Sequence, residues 1–312
     1  MAESVMRPQR VSKDPTDVSI VLLVYNGETY LEEVLASVFN QKTDFRFEVI
    51  VIDSGSTDRS LEIIGRYPVR LHRILKSEFG HGRTRNLGAR LGAGKYVVFL
   101  TQDATPASES WLDNLVRVLA EDDRVIGSYS RQLPRPDCNP IEMRDIIQGA
   151  PPVSIVKSVN FMDEFQKKVY EDHYQQFILF SDVSSCVRKD AFERMPFDEN
   201  ILMVEDQQWC KNAIEAGYRV VYEASSAVYH SHNHSLRNAY KRHFDYGASF
   251  KKFTNMNMKF RSVIFYTLYE SILDTFFIML QRRSFLGKAK YAIRAPFTRF
   301  ALCYGLYKGL NS

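Results

Sequence analysis

Short unbroken apolar runs alternate, over the first 130 residues, with segments whose apolar positions recur every three or four. Val18 to Tyr25 (VSIVLLVY) is a continuous β-type run. An Asn26-Gly27 turn follows, and then Leu31, Val34, Leu35, Val38 and Phe39 fall on one side of a helix. Glu48 to Ile52 repeats the strand signal and delivers Asp53 to its end, ahead of a Ser54–Asp58 loop and a helix bearing Leu61, Ile63 and Ile64. Val69 to Leu75 reads as a third strand, although His72 and Arg73 fall inside it, and a loop at Gly80–Gly82 opens a helix carrying Arg83, Arg85 and Asn86. The fourth strand, Val97 to Leu100, stops abruptly at Thr101, Gln102 and Asp103. Unbroken rather than alternating runs mark strands covered on both faces. Their alternation with helices predicts a mostly parallel sheet with right-handed crossovers and helices on both sides.

Beyond an amphipathic helix at Trp111–Leu119 and a strand at Val125–Ser130 the pattern loosens. Residues 131–176, with Pro134, Pro136, Pro140, Pro151 and Pro152, read as a long excursion of the kind that shapes a second ligand pocket. Phe177 to Val187 reads as a strand pair, and Asp190 opens a short helix. Glu205 and Asp206 begin a helix with Trp209, Ala213 and Ile214 facing inward, where two acids complement the helix dipole. The strand from Arg219 to Tyr229 ends at His230-Ser231-His232-Asn233-His234, three imidazoles in one loop and a hint of a metal site.

Length and charge refine this picture. At 312 residues the chain can bury a substantial core as one large domain or two smaller ones. From Phe250 onward eleven Lys or Arg face two acids, a net +9, so the preceding residues carry −5 of the chain's total of +4. Cys138, Cys186, Cys210 and Cys303 have no metal-type spacing and suit a reducing compartment, as small buried hydrophobes. The first 17 residues lack the apolar core of a signal peptide and read as a flexible leader. Ser262–Leu280 approaches membrane-span length, but Glu270 and Asp274 interrupt it.

In open α/β sheets ligands gather beyond the carboxyl ends of the strands, so Asp53 and Asp103 are expected along one crevice. Asp103 could instead cap a helix near Ser108 or sit in a turn ahead of Pro106. No GxGxxG follows the first strand, where the sequence reads YNGETY, so a dinucleotide is not implied. Strand-end carboxylates, with Arg83 and Arg85 at a helix start, suit a nucleotide diphosphate held partly through a metal; Arg85 could also be a surface cation.

YNGETY and VIDSGSTDRS, GRTRNLGARLGAGKYVVFL leading into TQDA, and EDQQWC followed by EAGYRV and HSHNHS together resemble a family 2 glycosyltransferase of the GT-A fold, over Val18–Gly247. FGHGRTRN with LTQDA and HSHNHS looks more narrowly like bacterial rhamnosyltransferases of O-antigen or other surface-polysaccharide assembly. The resemblance implies that Asp53 contacts the nucleotide base, and that Tyr25, Asn26 and Glu28 of the first loop line the nucleotide-sugar site. Arg83, Arg85 and Asn86 are expected there too. The family's DxD motif falls on Thr101-Gln102-Asp103, where Thr101 replaces the first acid and only Asp103 keeps a metal-ligand carboxylate. Mg²⁺ and Mn²⁺ are often held by one or two carboxylates with phosphates and water. His230, with His232 as a further candidate, matches a family histidine that completes such a site, and imidazole favours Mn²⁺. In the acidic pair Glu205-Asp206 the register EDQQW puts the catalytic base on Asp206.

The expected architecture is therefore α/β, a Rossmann-like GT-A sheet flanked by helices with a helical C-terminal extension. After the leader, residues 18–249 form the catalytic domain, divided into a nucleotide-sugar-binding half (18–130) and an acceptor and catalytic half (131–249). Residues 250–312 form a basic amphipathic extension. The expected activity is inverting transfer of a sugar, L-rhamnose from dTDP-rhamnose, to a lipid-linked or growing glycan. The alternatives are a UDP-hexose donor or a non-catalytic sugar-nucleotide-binding scaffold. The basic tail with interleaved aromatics suits an anionic membrane surface, placing the protein in the cytoplasm at the inner face of a bacterial membrane. The tail could otherwise pack on the catalytic domain or form a homo-oligomer interface. No nucleic-acid-binding module accompanies the charge.

Overall fold

The computed structural model describes residues 16–254 and 256–312; all but the last two residues of the expected leader lie outside that range. Strands β1 (Val18–Val24), β2 (Phe47–Asp53), β3 (Arg70–Arg73) and β4 (Tyr96–Thr101) form a parallel block in the order β3-β2-β1-β4. Their register pairs Val24 with Asp53 and Leu23 with Thr101, so the loops after β1, β2 and β4 emerge along one edge. On β4, Val97 and Phe99 enter the core on one face while Val98 and Leu100 enter the core on the other, and this is why the run has no polar alternation. Helices α1 (Leu31–Phe39), α2 (Ser60–Ile64) and α3 (His81–Leu91) connect these strands.

The second half of the sheet is built from β5 (Thr105–Pro106), β6 (Val125–Leu133), β7 (Ile155–Lys157), β8 (Ser184–Arg188) and β9 (Arg219–Tyr229). The order continues β4-β8-β6-β9-β5, with β7 also on β9. Strand β8 runs against both β4 and β6, whereas β6 and β9 are parallel, so six of the nine strands point the same way. Between these strands lie α4 (Trp111–Glu121), α5 (Pro140–Gly149), α6 (Glu164–Asp172), α7 (Tyr174–Ile178), α8 (Lys189–Arg194) and α9 (Glu205–Glu215).

Two local expectations change. The third strand is shorter than the apolar pattern suggests, because a single 3₁₀ turn begins after Leu75, whose N–H is bonded to the Glu78 carboxylate at 2.7 Å. The expected strand pair at Phe177–Val187 is one strand, β8, preceded by the end of α7 and a loop. Buried Ile178 and Phe180 alternate with more exposed Leu179 and Ser181, a period of two that mimics a strand in sequence.

Helices α10 (Leu236–Lys251), α11 (Phe260–Leu280) and α12 (Phe285–Leu310) follow. Helices α10 and α12 approach so closely that a Cβ on Gly305 or Gly309 would overlap the Tyr240 or Phe244 carbonyl oxygen. A buried charge network ties α11 and α12 to α5. Fully buried Asp274 accepts from Arg144 Nε at 2.7 Å and from Arg299 Nε and Nη2 at 2.6 and 2.7 Å. Arg299 forks onto Asp145, and Arg144 also bonds Glu270. Removing one member of such a network strands the other charges in a dry interior. Asp274→Ala should therefore lower the unfolding free energy by about 3–5 kcal/mol, read from denaturant titrations of the whole chain.

Candidate active site

Helix α3 begins at the strand-end edge and carries Arg85 inward, where it is 6% exposed. Its Nη1 lies 2.5 Å from Glu205 Oε1 and its Nε 3.4 Å from Asp182 Oδ2. Asp206, the next residue, accepts from the Asp182 and Gln207 N–H groups at 3.1 and 2.8 Å. One guanidinium thus pairs with two carboxyl groups, and the third is held by backbone N–H groups. Burial pushes Glu205 up to about 8 and Asp182 up to about 7, partly countered by Arg85; burial also raises Asp206, and backbone N–H bonds oppose that rise. Burial works against the Arg85 charge, and the surrounding acids more than offset it. Val204, immediately before the pair, has φ +62°, a left-handed conformation unfavourable for a β-branched residue; such strain clusters at sites where the surroundings over-determine the backbone. The strained turn leaves Glu205 buried and Asp206 partly exposed.

The antiparallel pairing of Thr105 with Tyr229 sets the loop after β4 beside the loop after β9. It brings together Asp103, His230 and His232, whose candidate ligand atoms all lie within 4.8 Å of one another. His230 Nε2 is 3.6 Å from Asp103 Oδ1, and His232 Nδ1 is 3.8 Å from Oδ2. Gln132 Nε2 donates to Ser181 Oγ at 3.1 Å, so its Oε1 accepts from His230 Nδ1 at 2.9 Å, leaving a lone pair on Nε2 aimed at a carboxylate. Burial lowers both imidazoles, His230 to about 4, so they face Asp103 neutral. The His230 lone pair and the Asp103 carboxylate repel unless a cation lies between them. The residues fit a divalent ion of the transition series, with one oxygen and two nitrogen donors.

The remaining sequence candidates divide into two sets. Tyr25, Thr101 and Gln102 line a cavity of about 440 Å³ together with Arg85, Asp103, Asp206 and the two histidines. Within it Gln102 clamps the Tyr25 backbone, accepting from its N–H at 2.8 Å and donating to its carbonyl at 3.1 Å, while the Tyr25 hydroxyl accepts from Lys76 Nζ at 2.7 Å. The other set serves the loops. Asp53 is fully buried and accepts from the Gly55 and Ser56 N–H groups at 3.0 and 3.2 Å. Asn26 accepts from Thr57 N–H at 2.8 Å, Glu28 from Arg59 N–H at 3.1 Å, and Asn86 brackets Phe197 through its N–H and carbonyl. Arg83 is exposed and pairs with Glu199 at 3.2 Å.

Sequence reasoning missed Asp182, Gln132 and Arg242. Asp182 sits in FSDVSS, inside what reads as a strand, and Gln132 ends β6 without any motif. Arg242 of α10 lines the same cavity, with no carboxylate in ion-pair range among the described residues.

A buried acid–guanidinium cluster and a group of three candidate metal ligands thus face one cavity at the sheet edge. The chain belongs to glycosyl transferase family 2, whose model matches residues 19–194. It is 32% identical over 233 residues to the O-antigen chain rhamnosyltransferase WbaN of Salmonella anatum, covering 73% of this chain and 70% of that protein. RfbN of Salmonella typhimurium, also an O-antigen chain rhamnosyltransferase, is 31% identical, with coverage of 74% and 71%. Among solved structures, the mannosyltransferase PcManGT of Pyrobaculum calidifontis, determined with GDP-Man and Mn²⁺, matches with a TM-score of 0.59 at 17% identity over 97% of this chain and 89% of that one. S. aureus TarS 1-349 matches at 0.52 and 16%, over 91% and 71%. The fold is accordingly GT-A, and the protein is a glycosyltransferase.

Two opposing sets of groups govern stability against pH. Burial lowers His230, His234 and His243 from 6.5 to about 4, so their share is lost as pH falls from 6.5 towards 4, where the unfolded chain binds the extra protons. The raised Asp182 and Glu205 hold protons in the folded state, so their share is lost as pH rises through about 7 and about 8. Above pH 6.5 only the second set remains of the two. Stability should decline from about pH 6.5 to about pH 8.5, and Glu205→Gln, which stays neutral, should flatten that limb in denaturant midpoints measured across the range.

Proposed function

We propose that the protein transfers L-rhamnose from dTDP-rhamnose, with inversion, to a membrane-associated glycan during O-antigen-like surface polysaccharide synthesis. The observation that carries this reading is the presence of Asp206 in one cavity with the Asp103–His230–His232 triad, in a chain similar to two O-antigen chain rhamnosyltransferases.

In this reading the acceptor hydroxyl loses its proton to Asp206, whose carboxylate is fixed by two backbone N–H groups and partly open to the cavity. The acceptor oxygen bonds to the anomeric carbon from the face opposite the diphosphate. The bond to the leaving phosphate oxygen breaks, and its electron pair stays on the diphosphate. A divalent ion, Mn²⁺ before Mg²⁺ given the imidazoles, would be held by Asp103, His230 and His232 and would supply positive charge to that leaving group. Arg85 is committed to Glu205 and Asp182, so its part is to position the acidic pair, and Arg242 is the guanidinium left to meet the diphosphate. Asp53, Asn26 and Glu28 shape the nucleoside loop from beneath, and Tyr25 and Gln102 present its surface.

The tail suits a membrane-associated acceptor. Phe265, Leu268, Ile272 and Phe276 of α11 are each at least 60% exposed, and Phe285, Leu286 and Ile293 of α12 are similarly open, with Arg282, Arg283, Lys288 and Lys290 alongside. Helix α11 has the length and composition to cross a bilayer, but its Asp274 is paired with Arg144 and Arg299 inside the protein. That pairing supports a helix lying in the interface of an anionic, cytoplasmic-face membrane, with about 1 kcal/mol from each basic side chain near the surface.

The decisive test is incubation of the purified chain with Mn²⁺ and a panel of dTDP- and UDP-sugars. The proposal requires selection of dTDP-rhamnose, loss of metal-dependent donor binding in Asp103→Ala, and suppression of turnover by a chelator. Asp206→Asn should keep donor binding and lower turnover by about 10²–10⁴-fold; normal turnover would remove Asp206 from the mechanism. In flotation assays the protein should rise with phosphatidylglycerol vesicles and not with phosphatidylcholine alone, and an Ile272→Glu, Phe276→Glu double variant should stay in the soluble fraction.

A further inference from the structure

A cavity of about 820 Å³, larger than the one holding Asp206, lies along the same elements. Helix α9 opens at the catalytic cavity with Glu205 and Asp206 and carries Lys211 and Glu215 to this second space, about 8 and 14 Å beyond Asp206 along the helix at 1.5 Å per residue. Helix α7 spans the same interval from the other side. Tyr174 and Gln175 line the second cavity, and Leu179 to Ser181, immediately after the helix, line the first. A third link is α10, with Tyr246 at the first cavity and Phe253, just past its end, at the second.

The lining has a definite chemistry. Phe161, Tyr174 and Phe253 are half-buried aromatics, and the exposed amide of Gln175 and the Lys211–Glu215 pair, 2.6 Å apart, stand beside them. Two lysines and three acids line the cavity, so its charge is close to balance and does not suit a phosphate, a nucleotide or a polyanion. Aromatic faces carry negative potential and attract the weakly positive C–H faces of a sugar ring, while amides and carboxylates bond vicinal hydroxyls. The volume is within the range of ligand clefts, roughly 300–1,000 Å³.

We propose that this cavity is a second glycan subsite, which holds neutral sugar residues of the acceptor chain some distance from the hydroxyl that reacts at Asp206. The inference rests on the reading of the acceptor as a glycan. The subsite makes the protein a reader of acceptor length. A growing chain engages both cavities, whereas a single sugar engages only the first, and the remote contacts add affinity without touching the reacting atoms.

The test measures binding of neutral oligosaccharides of increasing length, built from hexoses and 6-deoxyhexoses, to the whole chain by calorimetry and saturation-transfer NMR. Wild type should gain about tenfold in affinity from the monosaccharide to the longer glycans. Tyr174→Ala should abolish that gain and Tyr174→Phe, which keeps the ring face, should retain it; Gln175→Ala, at an exposed side chain, should reduce it about threefold. Affinity independent of length in wild type, a gain that survives in Tyr174→Ala, or equal loss in the Ala and Phe variants would overturn the subsite. Binding and hydrolysis of dTDP-rhamnose are read on the same wild-type samples. Donor failure with length-dependent glycan binding intact counts against the proposed donor alone, and donor turnover without length dependence counts against the subsite alone.

Discussion

Arg85 is the constraint on which the two halves of this protein depend. It comes from α3, in the parallel block, and ends between Glu205 at the start of α9 and Asp182 just before β8. An unpaired guanidinium or carboxylate at that depth would cost several kcal/mol, so the pairing fixes how the second half seats on the first. It also divides labour between two adjacent acids. Glu205 is withdrawn against the cation, while Asp206 is held by the Asp182 and Gln207 N–H groups and kept at the cavity. The left-handed Val204 is where the backbone accommodates that division.

The site lies where the sheet changes direction. Within the parallel block, strand ends share an edge but belong to one half of the chain. Strand β8, antiparallel to β4, and β9, whose end pairs antiparallel with β5, carry residues from the second half to that same edge. Asp103 thereby meets histidines more than a hundred residues away, and Gln132 at the end of β6 sets the His230 tautomer from a third strand. The replacement of the first motif acid by Thr101 is intelligible in this geometry. In the proposed reading a second imidazole would supply the donor that the missing carboxylate would have given, and Gln102 holds the Tyr25 backbone.

The helical extension repeats the use of buried charge. Asp274, Arg144, Arg299, Asp145 and Glu270 clamp α11 and α12 to α5 and so leave one orientation for the exposed aromatic face. An apolar interface between these helices would tolerate sliding. Two guanidiniums do not, because Arg299 forks onto both Asp145 and Asp274 while Arg144 is fixed to Asp274 and Glu270, and each of these bonds is directional.

Periodicity and strand-end logic were sufficient, from the sequence alone, for the parallel block and the edge on which chemistry collects, and the family resemblance joined Asp103, the acidic pair and the histidine loop as candidates. These features are local: a short, β-branched apolar run bounded by turn residues reads as a covered strand, and the residue after it emerges at the sheet edge. The loop at Leu179–Val183 read as a strand because its burial also alternates. Tertiary structure alone decided which polar side chains reach the cavity and which are spent on the backbone. Asp53, Asn26 and Glu28 have the residue types of ligand contacts and are turned instead to neighbouring N–H groups, and Arg85, which reads as an anion binder, is committed to two acids. Asp182, Gln132 and Arg242 carry no local signal, because their roles arise from partners brought beside them by strand pairing and helix docking. Hydrogen-bond assignment is a competition among all groups within reach, and only the folded chain determines which groups those are.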